Sequence, residues 1–284
     1  GVAAMLFIGK INYQRFRGLA KPLLYLSVIL LILVAIPGNP LAITRNNATR
    51  WLGIPGTYLQ FQPSEIAKLA VIIYFGDSIS KKKDRMRTFR YGILPYVIIL
   101  VVLAGLVGIE PHLSGAILVL GVGAVMMLVG GIHWGWVGGA IAAAGGLLYF
   151  VVFVLDYNRS RFEYWLNPWA DAQGSGYQLS QSLLTIGSGG LLGVGLGKSR
   201  QKFLYLPEEH NDFIFAIVCE ELGLIGATVI MLLFAALILR GFWIALHARD
   251  RFGSLMVVGV VTLVGLQTFL NIGVVTGLLP TTGI

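Results

Sequence analysis

Six ionisable side chains crowd one stretch of this chain, "YLPEEHNDFIFAIVCEELG" at 205–223. Glu208, Glu209, His210 and Asp212 come first, and Glu220 and Glu221 follow inside an apolar run that starts at Phe213. The whole sequence holds only 13 acidic residues, so this is a concentrated investment of charge. Two chemistries fit Asp212. An Asn or Asp at a helix start caps the free N–H groups, and an acid there suits the helix dipole. Alternatively, a carboxylate where a polar loop meets an apolar span faces water while partly desolvated, which raises its pKa and makes it a better general base. Glu220 and Glu221 lie about two turns deeper, at about 1.5 Å per residue. Ionisable groups at such depth usually pair or face a hydrated interior, and Lys68 in "PSEIAKLA" is a candidate counter-ion on another span.

A second cluster, "TRNNATRWLGIPGTYLQFQPSEIAKLA" at 44–70, brings Arg45, Arg50, Glu65 and Lys68 together. Arginine grips phosphate oxygens with two parallel hydrogen bonds, so outward-facing arginines are candidates for an anionic substrate. Pro63, Ser64 and Glu65 have the order of a helix start. A third block, 166–202, is rich in glycine, and Arg159, Arg161, Lys198, Arg200 and Lys202 make this loop basic, which with Arg45 and Arg50 would suit a pyrophosphate. Its "GLGKS" lacks the upstream glycine of a nucleotide-binding loop, since Leu192 stands there, and no buried strand precedes it, so a nucleotide site is excluded. The tight turns of this block are expected to carry Leu183, Leu184, Ile186, Leu191 and Leu192 into the membrane interface. The four histidines (112, 133, 210 and 247) are scattered, and no metal-ligand or nucleophile–base spacing appears.

The elements that must hold these groups are membrane spans. The chain is 56% hydrophobic and 12% charged, with a mean hydropathy of +0.80, which excludes an ordinary soluble domain. Cys219 stands alone, which excludes an internal disulfide. A crossing helix needs about 20 apolar residues. Spans are expected near 22–37, 64–80, 92–109, 114–130, 137–155, 213–239 and 254–278, with 1–9 as the tail of another. The fold class is therefore all-α, a single polytopic bundle over 1–284 with about seven to eight spans. The net charge of +8 concentrates in "KINYQRFRGLAK" (10–21), "KKKDRMRTFR" (81–90) and the turn with Arg240, His247, Arg249 and Arg251. Short basic loops stay cytoplasmic, so nucleic acid is not an expected partner. The first of these is expected to lie along the inner surface as an amphipathic stretch. Two loops, 38–63 and the large 156–212, then fall outside. Both ends are expected to be cut from a longer protein, because the chain opens and closes in apolar sequence.

On "QPSEIAKLA", the continuous block from "NPWADAQGSGYQLSQ" to "EEHNDFIFAIVCEELGLIGA", and "NIGVVTGLLPTTGI", the chain closely resembles the SEDS family, the RodA, FtsW and SpoVE group of shape, elongation, division and sporulation proteins. The likeness runs from about residue 44 to the end. It implies a membrane glycosyltransferase of about ten helices. Such an enzyme polymerises lipid II at the outer face of the bacterial cytoplasmic membrane, beside a class B penicillin-binding protein and among membrane lipid. On that likeness the first helix, most of the second and the tenth are missing here.

The family's essential aspartate maps to Asp212, within His210-Asn211-Asp212-Phe213, with Asn211 in place of the usual Thr. Lys68 and Glu65 match the family's charged helix, Arg50 its Arg-Trp pair, and Arg161 an arginine before the Asn-Pro turn. Arg45, His210, Gln178, Gln181 and Ser182 complete the expected substrate-binding set. Two departures stand out: Gln60 where many members have Arg, and Glu110-Pro111-His112 where many have Gln-Pro-Asp. "VVTGLLPTTGI" and "RQKFLYLPE" are more similar to division or sporulation members than to elongation ones. No cofactor is implied beyond a divalent cation, Mg or Mn, sharing the pyrophosphate charge. A lipid II flippase or a scaffold for the transpeptidase would fit the same spans and charges.

Overall fold

The computed structural model describes residues 1–45, 48–54, 60–110, 112–133, 135–136, 138–139, 164–172, 174, 176–199 and 212–280, without the side chains of 45, 48, 83 and 84. In chain order the elements are α1 (Val2–Gly9), α2 (Phe16–Ala35), β1 (Ala42–Arg45), β2 (Ala48–Gly53), β3 (Gln60–Phe61) and α3 (Pro63–Lys82). Then come α4 (Leu94–Ile109), α5 (Leu113–Val129), α6 (Tyr177–Gly189), α7 (Ile214–Leu246) and α8 (Arg251–Val275). Among the described residues, four stretches are helical, long and apolar enough to cross a membrane: Tyr13–Ala35, Phe89–Ile109, Ile214–Leu246 and Arg251–Val275, with Leu113–Val129 a shorter apolar helix. The chain is thus a helical integral membrane protein. The span expected at 137–155 lies almost wholly outside the described residues.

Two compact units divide the chain, one of 1–137 with 240–264 and one of 138–239 with 265–283. In the first, α3 is the buried centre. Ala67, Ala70, Val71, Phe75 and Ile79 are fully covered, and the Phe75 ring meets the edge of Tyr96 from α4 at 4.8 Å. The same helix buries Lys68 and Asp77, which is why it lacks the purely apolar composition of its neighbours.

Two expectations for this unit need correcting. The segment 10–21 is not one piece. Asn12 caps a single turn at Tyr13–Arg15 by accepting the Gln14 N–H, and α2 begins at Phe16 and runs through Pro22. Its start is latched to the α7–α8 turn, where the Tyr13 hydroxyl donates to Asp250 at 2.5 Å and Arg17 donates to the same carboxylate at 3.2 Å. The segment 38–63, expected as an outer loop, is more than a loop. Its strands form a small antiparallel sheet, β1–β2–β3, with Ile43 opposite Trp51 and Leu52 opposite Phe61. A bulge after Ile43 shifts the register so that Thr44 faces Thr49, and their hydroxyls bond at 2.8 Å.

In the second unit, α6 and the adjoining parts of α7 and α8 share a core of Phe213, Phe215, Ala216, Ile217, Cys219, Ala227, Val274 and Val275.

Candidate active site

In the first unit a polar cluster forms where the sheet, the start of α3 and the α4–α5 link converge. Strand β2 presents Arg50, whose Nε donates to the main-chain oxygen of Glu110 at 3.2 Å. Glu110 ends α4 and is 2% exposed. Neither of its carboxyl oxygens has a hydrogen-bond partner among the described residues. Burial pushes its pKa up to about 8, against the downward pull of Arg50, so the acid is largely protonated at neutral pH. Beside it, His112 Nδ1 meets Gln62 Nε2 at 3.2 Å. Burial, then the positive charges of Arg50 and Lys68, push His112 down to about 4. Its ring is therefore neutral, with Nδ1 accepting from the Gln62 amide and the proton on Nε2.

Pro63 opens α3, and one turn in, Lys68 Nζ donates to Glu65 at 2.7 Å. The lysine is 1% exposed and the glutamate 52% exposed. With Glu110 and His112 neutral, the cations of the cluster among the described residues are Arg50 and Lys68 and its anion is Glu65, so the cluster suits an anionic ligand. Lys68, expected as a counter-ion for Glu220 and Glu221, has the carboxylate one turn back on its own helix as its ion-pair partner.

In the second unit, Asp212 stands in an exposed turn directly ahead of α7, and its main-chain oxygen accepts the Asn271 side-chain amide at 2.9 Å. Further along, α7 breaks. Gly223 adopts φ 67° and ψ −173° in mid-helix, which strands backbone groups on both sides of the break. The loop after α6 takes them up. The N–H groups of Val194 and Gly195 donate to the Glu220 and Glu221 carbonyls at 2.9 and 3.1 Å. In return, Leu224 and Ile225 donate to Gly190 and Leu191 at 2.9 and 3.2 Å. Membrane-depth breaks are tolerated only where protein or water satisfies the backbone in this way. The approach is so close that a Cβ on Gly193, itself at φ +78°, would sit 2.2 Å from the Glu221 carbonyl oxygen.

This is the use of the glycines in the 166–202 block, which were expected to serve an outer turn. The apolar tip is nevertheless there, with Leu191 and Leu192 exposed. Glu220 is buried and accepts the Ser199 hydroxyl.

The other expected residues fall as follows. Gln178 and Gln181 are half-buried on α6. Ser182 is fully buried, and its hydroxyl donates to the Val275 carbonyl at 2.8 Å, so it is committed to a helix end. Arg45 lies in β1, with its side chain outside the described residues, as are Arg161 and His210. Among the described residues, no three His, Cys, Asp or Glu side chains group closely enough to hold a metal ion. Sequence reasoning missed Gln62 and Asn271 as site residues. The signal for the first was its place beside Pro63, and for the second a lone amide in an apolar run. The departure at 110–112 did mark the neutral pair.

The whole chain, residues 1–284, matches the family model described as "Cell cycle protein", that of FtsW, RodA and SpoVE. It is similar to a probable peptidoglycan glycosyltransferase FtsW of Geobacter metallireducens, 43% identical over 284 residues, covering 100% of this chain and 75% of that protein. It is likewise similar to stage V sporulation protein E of Bacillus subtilis, 43% identical over 289 residues, covering 100% and 76%. Among solved structures, one chain from a study of polymerization and crosslinking by a peptidoglycan synthase complex superposes with a TM-score of 0.80 at 27% identity, covering 98% of this chain and 76% of that one.

Proposed function

The chain belongs to the FtsW, RodA and SpoVE family of cell cycle proteins, and from that premise we propose that it is a membrane peptidoglycan glycosyltransferase that polymerises lipid II, with Asp212 as its general base. The observation that carries the assignment is the placement of Asp212, an exposed carboxylate at the mouth of an apolar helix with its backbone tied down.

The acceptor's sugar hydroxyl is a poor nucleophile at neutral pH. Asp212 takes its proton as the oxygen attacks the donor's anomeric carbon. The new glycosidic bond forms as the bond to the lipid pyrophosphate breaks, and the anomeric centre inverts. A positioned base contributes roughly 10²–10⁴-fold. Negative charge develops on the departing pyrophosphate, and fixed cations lower that barrier most when they need no rearrangement. The candidates for this role are Arg50, Lys68 and Arg161. A divalent cation bound to the pyrophosphate would add to the same charge stabilisation, and no step here is routed through it.

Short basic loops favour the cytoplasmic side, which supports an active face on the outer side of the cytoplasmic membrane. The superposable chain comes from a peptidoglycan synthase complex that coordinates polymerization and crosslinking, which supports a transpeptidase of the class B penicillin-binding type as the partner.

The test is Asp212→Asn in purified protein supplied with lipid II. The variant is expected to fold and bind lipid but to form no polymer, read by gel separation of glycan chains. Polymer of normal length would remove Asp212 from the mechanism. Labelled lipid II crossing between leaflets while staying monomeric would instead mark a flippase.

A further inference from the structure

The last turns of α8 tie together the separate pieces of the second unit that carry the proposed chemistry. A helix leaves its last four carbonyls without intrahelical partners, and here each is accounted for. Ile272 accepts from the Thr276 N–H at 2.9 Å, Gly273 from Leu279 at 2.9 Å and Val274 from Gly277 at 3.1 Å. The fourth, Val275, accepts the Ser182 hydroxyl of α6 at 2.8 Å. Just beyond, the Gly277 carbonyl accepts the Trp165 indole N–H at 2.8 Å. One turn before the end, Asn271 reaches the main-chain oxygen of Asp212 at 2.9 Å. Three distant parts of the sequence are thus registered on one short length of helix.

We propose that Asn271 is the positioning residue for Asp212. The helical bonding of α7 begins one residue later, where Ala216 N–H bonds the Phe213 carbonyl at 3.0 Å. The carbonyl of residue 212 therefore lies outside the helix and is fixed by the Asn271 amide. Fixing that carbonyl fixes the peptide plane between 212 and 213, and with it the direction in which the Asp212 side chain leaves the backbone. A base must meet its proton within hydrogen-bond reach, and a misplacement of about 1 Å costs about a hundredfold in rate. Asn271 itself does not touch the reacting atoms. The inference rests on the assignment of Asp212 as the base.

The test uses the whole protein in detergent or nanodiscs with lipid II. Asn271→Leu keeps the approximate shape and removes the donor, and Asn271→Gln keeps an amide on a longer arm. Asn271→Leu is expected to lower kcat by about ten- to a hundredfold while KM stays within about twofold, with the thermal midpoint unchanged. Asn271→Gln is expected to recover part of the lost kcat. A kcat for Asn271→Leu within about twofold of the parent overturns the proposal, and so does a joint collapse of kcat, KM and thermal midpoint, which marks packing alone. Asp212→Asn is run beside it. An inactive Asp212→Asn with a fully active Asn271→Leu overturns this proposal and leaves the base assignment standing. An active Asp212→Asn overturns both.

Discussion

The two polar regions of this protein are built from different materials. In the first unit the groups that carry charge are side chains, tuned by burial and pairing: Lys68 on Glu65 and Gln62 on His112, with Arg50 anchored on the Glu110 main-chain oxygen. In the second unit the framework is main chain. Four backbone bonds clasp the loop after α6 to the break in α7, and a carbonyl rather than a carboxylate is what Asn271 holds. A side-chain cluster tunes electrostatics and tolerates exchange of its scaffold. A backbone clasp fixes geometry and tolerates almost no added atom. The lesson is a difference in material: side-chain charge in one unit, main-chain geometry in the other.

The largest expected effect tests the clasp. Gly223→Ala places a Cβ on a residue at φ +67°, 2.3 Å from the Gly193 nitrogen. Left-handed strain and overpacking together cost roughly 2–6 kcal/mol, and the thermal midpoint in detergent should fall steeply or the protein should fail to accumulate. An Ala variant that melts with the parent would show that the clasp yields, and the contrast between the units would disappear.

A smaller effect tests the charge side, and it has a built-in asymmetry. Glu65→Gln leaves the buried Lys68 ammonium without its anion, whereas Lys68→Met leaves an exposed carboxylate that water can solvate. Removing one partner of a buried pair costs roughly 3–5 kcal/mol because the other is left uncompensated. The glutamate variant should therefore melt well below the lysine variant. Equal melting points would mean that the lysine finds another anion, and that the cluster is less specifically paired than its distances suggest.

How much of this the sequence revealed follows the same division. The spans were legible because apolar runs of membrane length have few other uses, and Pro63-Ser64-Glu65 marked the start of α3 correctly. Charged candidates stood out because a charge in such a sequence is conspicuous, as with Asp212, Lys68 and Arg50. The small sheet was not, because its strands are short and interrupted by glycine and proline. The clasp was not, because its working parts are N–H and C=O groups that every residue carries. Only the density of glycines between 187 and 197 hinted at a close backbone approach, and their partner, Gly223, lies far along the chain. Asn271 shared that obscurity, because it bonds a backbone atom and has no complementary side chain to betray it.

The smallest effect sharpens the account of the charge cluster through pH. Glu110 has a folded pKa of about 8, above its ordinary value, so its contribution to stability is fully present below about pH 4.5 and is lost as pH rises through 8. His112 has a folded pKa of about 4, below its ordinary value, so its contribution is present above about pH 6.5 and is lost as pH falls through 4. Between about 4.5 and 6.5 the two slopes oppose each other and the melting temperature should be nearly flat. Between about 6.5 and 8 only the glutamate acts, at a slope of at most about 1.4 kcal/mol per pH unit, so stability should decline by roughly 1–2 kcal/mol. Glu110→Gln removes that upper slope and leaves the lower, histidine-driven one, so the variant should overtake the parent in melting temperature near pH 8. An unchanged slope in the variant would place the titrating group elsewhere. The cluster would then carry one more negative charge at neutral pH, which would cancel the cationic surplus that suits it to an anionic ligand.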